Sequence, residues 1–88
     1  MISIITPTYN RADLLPRMIN SILAQTFKDW ELNIVDDGST DNTRQVIESF
    51  KDKRIKYHYT ENSGAADSRN QGVELAQYDK NIFLDSVD

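Results

Sequence analysis

The chain has 88 residues, 39% of them apolar and 27% charged, with a formal net charge of −4 and no cysteine. That length allows one domain with a small core, and the lack of cysteine excludes disulfides and thiolate metal sites. The acidic balance argues against a nucleic-acid partner, which asks for a basic face, and no run of about 18 apolar residues is present to cross a membrane as a helix. The opening MISIITPTYN lacks the basic start and long apolar stretch of a secretory leader, so a cytoplasmic setting is expected.

In chain order, the β-branched run MISII predicts a strand over residues 2–6, broken by PTYN. Leu15, Met18, Ile19, Ile22 and Leu23 then recur at i, i+3, i+4, i+7 and i+8, the stripe of an amphipathic helix. Asp13 stands where an N-cap is expected, and Pro16 is tolerable because it falls in the first turn. In WELNIV, Trp30, Leu32 and Ile34 alternate with Glu31 and Asn33, which predicts a second strand. It ends in DDGSTDNT, where Gly38 permits a tight turn and Ser39, Thr40 or Asp41 can cap the next helix. That helix carries Val46, Ile47 and Phe50 on one face. The basic cluster KDKRIK reads as a solvated helix end and strand start. A third strand, RIKYHYT, places Ile55, Tyr57 and Tyr59 on one side. ENSGAA is a turn, a third helix is expected over residues 66–77 with Ala66, Val73 and Ala76 inward, and NIFLD is the last strand.

Strand–helix alternation at this spacing predicts an α/β domain with a parallel sheet and right-handed crossovers. Such sheets bind ligands beyond the carboxyl ends of their strands. The residues that fall there are TPTYN, DDGSTD, TENSGAADSRN and DSVD, all polar. Asp36 and Asp37 point to opposite faces, so one can bond a base or ribose while the other caps the loop behind it; both can equally cap turns. Tyr9 can stack on a flat ring with its hydroxyl wet, or be an ordinary half-buried tyrosine. Asp85 and Asp88 offer hard oxygens for Mg²⁺ or Mn²⁺, or form a strand-end turn. Arg69 can reach a phosphate or pair with Asp67 or Glu74. His58 reads as a sheet-face residue. There is no GxGxxG and no GxxxxGK[ST], so a dinucleotide fold or P-loop lacks support.

The stretch SIITPTYNRADLLPRMINSILAQTFKDWELNIVDDGSTDNT resembles the start of family 2 glycosyltransferases, inverting enzymes of the GT-A fold. NSGAADSRNQG is similar to that family's Asn-x-Gly-x-x-x-x-Arg-Asn-x-Gly segment, and FLDSVD to its Phe-Leu-Asp-Ser-Asp-Asp stretch with the DxD metal motif. The resemblance covers the whole chain. It implies a three-layer sandwich with a four-stranded parallel sheet in the order 3-2-1-4, a partial GT-A fold. It also implies transfer of a sugar from a nucleotide diphospho-sugar to a saccharide or lipid-linked acceptor, in the cytoplasm or peripherally at the inner face of the membrane.

By the same resemblance Pro7 and Tyr9 line the nucleotide pocket, Asp37 bonds the base, Asp36 supports the loop or ribose, and Asp85 is the first DxD aspartate. Val87 stands where the family has an aspartate that holds Mg²⁺ or Mn²⁺, which leaves Asp88 as the substitute. Family members are much longer, so residues 1–88 are expected to be a truncated nucleotide-binding half without the catalytic base. Three further expectations follow. The chain acts as a nucleotide-sugar-binding module without turnover, it self-associates through the uncovered edge at residues 81–85, and it is not a response-regulator-like switch. Such a switch would need a lone aspartate after the third strand, where Thr60, Glu61 and Asn62 stand.

Overall fold

The computed structural model describes residues 1–26, 28–61 and 64–84. Strands and helices alternate along it: β1 (Ile2–Thr8), α1 (Leu15–Leu23), β2 (Trp30–Asp37), α2 (Thr43–Glu48), β3 (Ile55–Thr60), α3 (Ala65–Leu75) and β4 (Asn81–Phe83). All strand pairs are parallel and the sheet order is β3-β2-β1-β4, as expected. A parallel pair cannot close through a tight hairpin, so each connection crosses over through a helix.

Successive strand residues alternate between the two sheet faces. On one face Ile4, Trp30, Leu32 and Ile34 pack with Leu15, Ile19 and Ile22 of α1 and Ile47 of α2. The apolar stripe read from the sequence is therefore the one that α1 buries. Trp30 closes the lower end of this core. The Arg54 guanidinium lies over its ring at 4.0 Å and is held there by Asp52 through a 2.6 Å ion pair.

The other face is covered by α3, which packs on β1 and β2. The alternation in β2 consequently separates two buried faces, and all eight of its residues are buried. Glu31 and Asn33 lie under α3, where the Glu31 carboxylate is fully bonded while the Asn33 amide nitrogen has no hydrogen-bond partner among the described residues. Glu31 Oε2 accepts the Ser3 hydroxyl and the Gln77 N–H, both at 2.6 Å, and Oε1 accepts Lys56 Nζ at 2.8 Å. The Tyr78 N–H reaches Ser3 Oγ at 3.2 Å, so one buried carboxylate and one hydroxyl hold the connection between α3 and β4. His58 Nε2 meets Asn33 Oδ1 at 3.1 Å, on the sheet face as expected. Burial, and then the Lys56 charge, lower the His58 pKa against the pull of Glu31, so the ring is neutral at pH 7.

Three expectations are corrected. Val73 does not face inward: it is exposed, and Ser68 and Gly72 are the buried ones among the described positions of α3, which do not include the Ala66 side chain. The helix lies so close to the sheet that a Cβ on Gly72 would stand 2.3 Å from Ile5 Cγ2, so no larger side chain fits there. Asp13 does not cap α1. Leu14 holds that position without a side-chain bond, and the chain turns into the helix through the Leu14 and Leu15 N–H groups, both on Arg11 O at 3.0 Å. Finally, β1 runs on through Pro7, which pairs in register with Val35. Ser3 and Ile5 direct their backbone groups to the β4 side, and Pro7 follows at the same parity. Its missing N–H thus falls beyond the last described bond of that ladder, Leu84 N–H to Ile5 O.

Candidate functional site

The carboxyl ends of β1, β2 and β3 open on one edge of the sheet, where the loops after β1 and β2 latch together. Asn10 adopts the left-handed conformation (φ 51°) that asparagine tolerates better than most residues. That turn aims its Oδ1 at the N–H groups of Thr40 (2.8 Å) and Asp41 (3.3 Å), while its own N–H donates to Ser39 Oγ (2.8 Å). Asp41 closes the latch: Oδ2 accepts the Ala12 N–H, and Oδ1 takes the Thr43 N–H and hydroxyl at the start of α2. Burial would raise the Asp41 pKa, but these bonds outweigh it and hold the carboxyl below its usual range. The sequence named Asp41 only as one of three possible caps, and it did not single out Asn10. The available signal was an asparagine directly before a polar loop.

Asp36 and Asp37 part company as the alternation requires. Asp36 is fully buried on the α2 side. Its Oδ1 accepts the Ser39 N–H at 2.9 Å and its Oδ2 the Tyr57 hydroxyl at 2.5 Å. Burial, and then this carboxylate, push the Tyr57 pKa well up, so the phenol remains a proton donor to Asp36. Asp37 faces α3. It is buried, and its Oδ2 accepts the N–H of Gly64 at 2.9 Å. Gly64 precedes α3 with φ 96°, a conformation that a side chain would strain, although open space surrounds the position. Pro7 lies buried at the end of β1, Tyr9 stands 45% exposed in the loop after it, and Arg69 is half-buried in the second turn of α3. The fold therefore brings Pro7, Asp37 and the start of α3 to one side of the mouth and sets Asp36 on the other. Asp85, Val87 and Asp88 lie outside the described residues, and among those described no group of three His, Asp or Glu side chains could hold a metal ion.

This edge carries a buried carboxylate bonded to the start of α3 and, in the loop after β1, an exposed aromatic ring, the kinds of group that can take a flat polar ring and its charged substituent. The family model described as glycosyl transferase family 2 matches residues 3–86. The chain belongs to glycosyl transferase family 2. It is 44% identical over 91 residues to validoxylamine A glucosyltransferase of Streptomyces hygroscopicus subsp. jinggangensis (strain 5008), a match over 98% of this chain and 22% of that protein. S. aureus TarS 1–349 in complex with UDP superposes with a TM-score of 0.90 at 34% identity, over 97% of this chain and 27% of that one. The mannosyltransferase PcManGT from Pyrobaculum calidifontis, solved with GDP-Man and Mn2+, gives a TM-score of 0.85 at 28% identity, with the same coverage of 97% and 27%. The family 2 chain described here spans 22% to 36% of the length of three curated relatives it matches. The resemblance read from the motifs and its GT-A sheet are thus both confirmed.

Proposed function

We propose that this chain is the donor-binding part of an inverting glycosyltransferase that moves a sugar from a nucleotide diphospho-sugar, a UDP-sugar, to a saccharide or lipid-linked acceptor during glycan synthesis. The observation that carries the reading is the gathering of Pro7, Asp37 and the start of α3 on one side of the sheet mouth. The UDP of a family 2 relative with the same fold supports the choice of nucleotide. In this reading Asp37 accepts a hydrogen bond from the base, Tyr9 packs on its face, and Arg69 contributes a guanidinium toward phosphate. Asp36 serves the site indirectly, by fixing the loop that Ser39 begins.

The metal of the reading is Mg²⁺ or Mn²⁺, held by Asp85 and Asp88, whose carboxylate oxygens suit a hard cation, whereas the Val87 side chain has no donor atom. When bound, it would neutralise the leaving diphosphate. The proposed setting is the cytoplasm, peripherally at the inner face of the membrane; no helix among the described residues is long and apolar enough to cross one.

The reading assigns no catalytic base to residues 1–88, so the purified chain is expected to bind UDP without transferring sugar. Calorimetry with UDP and with NAD tests it: UDP binds more tightly, and Tyr9→Ala or Asp37→Asn weakens UDP alone. Equal or absent binding of the two nucleotides would overturn the reading, and protein-dependent transfer by the purified chain would overturn the absence of a base.

A further inference from the structure

Asp36 faces away from Asp37, and on its side of the sheet lies a separate concavity of about 260 Å³ between α2 and the end of β3. Its lining includes Asp36, Asp41, Arg44, Gln45, Tyr57 and Tyr59. Several of these groups serve nothing in the fold. Tyr59 is 56% exposed and its hydroxyl has no partner among the described residues. The Gln45 amide likewise makes no hydrogen bond there. Arg44 spends only Nε, on Glu48 at 3.3 Å, while its guanidinium rests 5.9 Å from the centre of the Tyr57 ring. The notch thus offers a free phenol, a free amide and the two terminal nitrogens of a guanidinium beside an exposed aromatic face.

The charge and geometry narrow the ligand. Two carboxylates line the notch against one guanidinium that already has an acidic partner, so a phosphate or sulfate is repelled. A metal ion finds no open ligand set, because the oxygens of Asp36 and Asp41 already accept protein donors. A purely apolar ligand would strand the amide and guanidinium donors. A neutral polyhydroxylated ring satisfies all of these conditions: its hydroxyls can accept from Gln45 and Arg44 and donate to the Gln45 amide oxygen and the Tyr59 hydroxyl, and its C–H face can lie on Tyr59. The volume lies below the ~300–1,000 Å³ of sites for drug-sized ligands, which fits one sugar ring. We propose that this notch binds a neutral hexopyranose unit, free or at the end of a glycan chain. The inference does not rest on the donor reading, since it uses the opposite side of β2.

Nuclear magnetic resonance titration of the 88-residue chain tests the notch, with methyl β-D-glucopyranoside as the free sugar and cellotriose as the glycan end. Both probes are expected to shift the Gln45 side-chain amide, the Arg44 Nε–H and the backbone amides of residues 57–59, with the trisaccharide binding more tightly if a chain end is the natural ligand. Tyr59→Ala should weaken binding about fivefold through loss of the stacking face, and Gln45→Ala about threefold or more through loss of one hydrogen bond. Both residues are exposed, so neither change opens the core. A UDP titration run in parallel separates the two sites. Sugar binding at the notch without UDP binding would sink the donor reading and leave this one standing. No shift with either sugar up to about 50 mM, equal affinity in Tyr59→Ala, or notch shifts caused by UDP instead would overturn the proposal.

Discussion

Gly72→Ala offers a direct measurement of how tightly α3 is pressed on the sheet. The added Cβ would stand 2.3 Å from Ile5 Cγ2, roughly 1 Å inside the ~3.5 Å of ordinary carbon contact. Ile5 is fully buried and its Cγ2 is attached directly to the β-carbon, so it cannot swing away as the end of a long side chain would. Overpacking of this kind costs about 1–3 kcal/mol, and the better helix propensity of alanine returns about 1. A net loss of roughly 1 kcal/mol is expected, which in a domain of this size lowers Tm by about 4–8 °C. Urea titration and thermal melting of the purified variant would read it. Ile5→Ala removes the struck methyl and should cost about 2–5 kcal/mol by itself. The double variant should then be less unstable than the sum of the two by at least about 1 kcal/mol, because the two sites share one contact. A stabilised Gly72→Ala with strictly additive behaviour would show that α3 does not lie where it is described. The same displacement would move Gly64 from Asp37, so UDP affinity should fall along with stability on the proposed reading.

Three other outcomes are expected. Burial would raise the Glu31 pKa, but the Lys56, Ser3 and Gln77 bonds outweigh it and depress it below 4.5 in the folded chain. Its stabilising contribution is therefore present above 4.5 and is lost as pH falls through the depressed value. The stability gap between the native chain and Glu31→Gln should be widest above pH 4.5 and narrow as pH falls through the depressed value; a gap independent of pH would refute the ionised clasp. Val87→Asp should increase the enhancement of UDP binding by Mn²⁺ over that with chelator, and Asp85→Ala should reduce it. A strong metal requirement in the native chain, unchanged by Val87→Asp, would assign the ligand role to Asp88. The edge strand β4 exposes Ile82 and Phe83, with Leu84 exposed after it, so dimers or larger species are expected in sedimentation, and a monomer across a wide concentration range would exclude them.

Periodicity made the architecture legible. The spacing of Leu15, Ile19 and Ile22 can bury only one helical stripe, and four short strand-like runs separated by helices permit few topologies. The covering of the second sheet face was not legible in the same way. Glu31 and Asn33 alternate with apolar residues as solvent-facing residues do, and nothing local reports that Ser3, Lys56 and the turn at residues 77–78 will converge on the carboxylate. Nor does the sequence of α3 advertise its inner side. Ser68 and Gly72 face the sheet because close backbone approach needs small residues, and Val73 turns outward. At the mouth, the divergence of Asp36 and Asp37 follows from strand geometry alone. The latch built by Asn10 depends on a single left-handed turn and on two loops meeting in space.

The Glu31 clasp bears on the order in which the molecule comes apart. Ser3 and Tyr78 are 75 positions apart, and Gln77 and Glu31 are 46 apart, so their union closes some of the longest loops in the chain. Contacts of that span form late in folding, since loop entropy is spent before they contribute. β1, β2 and β3 with α1 and α2 share one apolar cluster, whereas β4 contributes a ladder of three residues beside β1. The last strand and its helix are accordingly expected to open first under native conditions, and hydrogen exchange of the Gln77 and Tyr78 amides would measure it, slow exchange meaning that the unit is shut. A carboxylate at the foot of the sheet is thus the thermodynamic latch on β4.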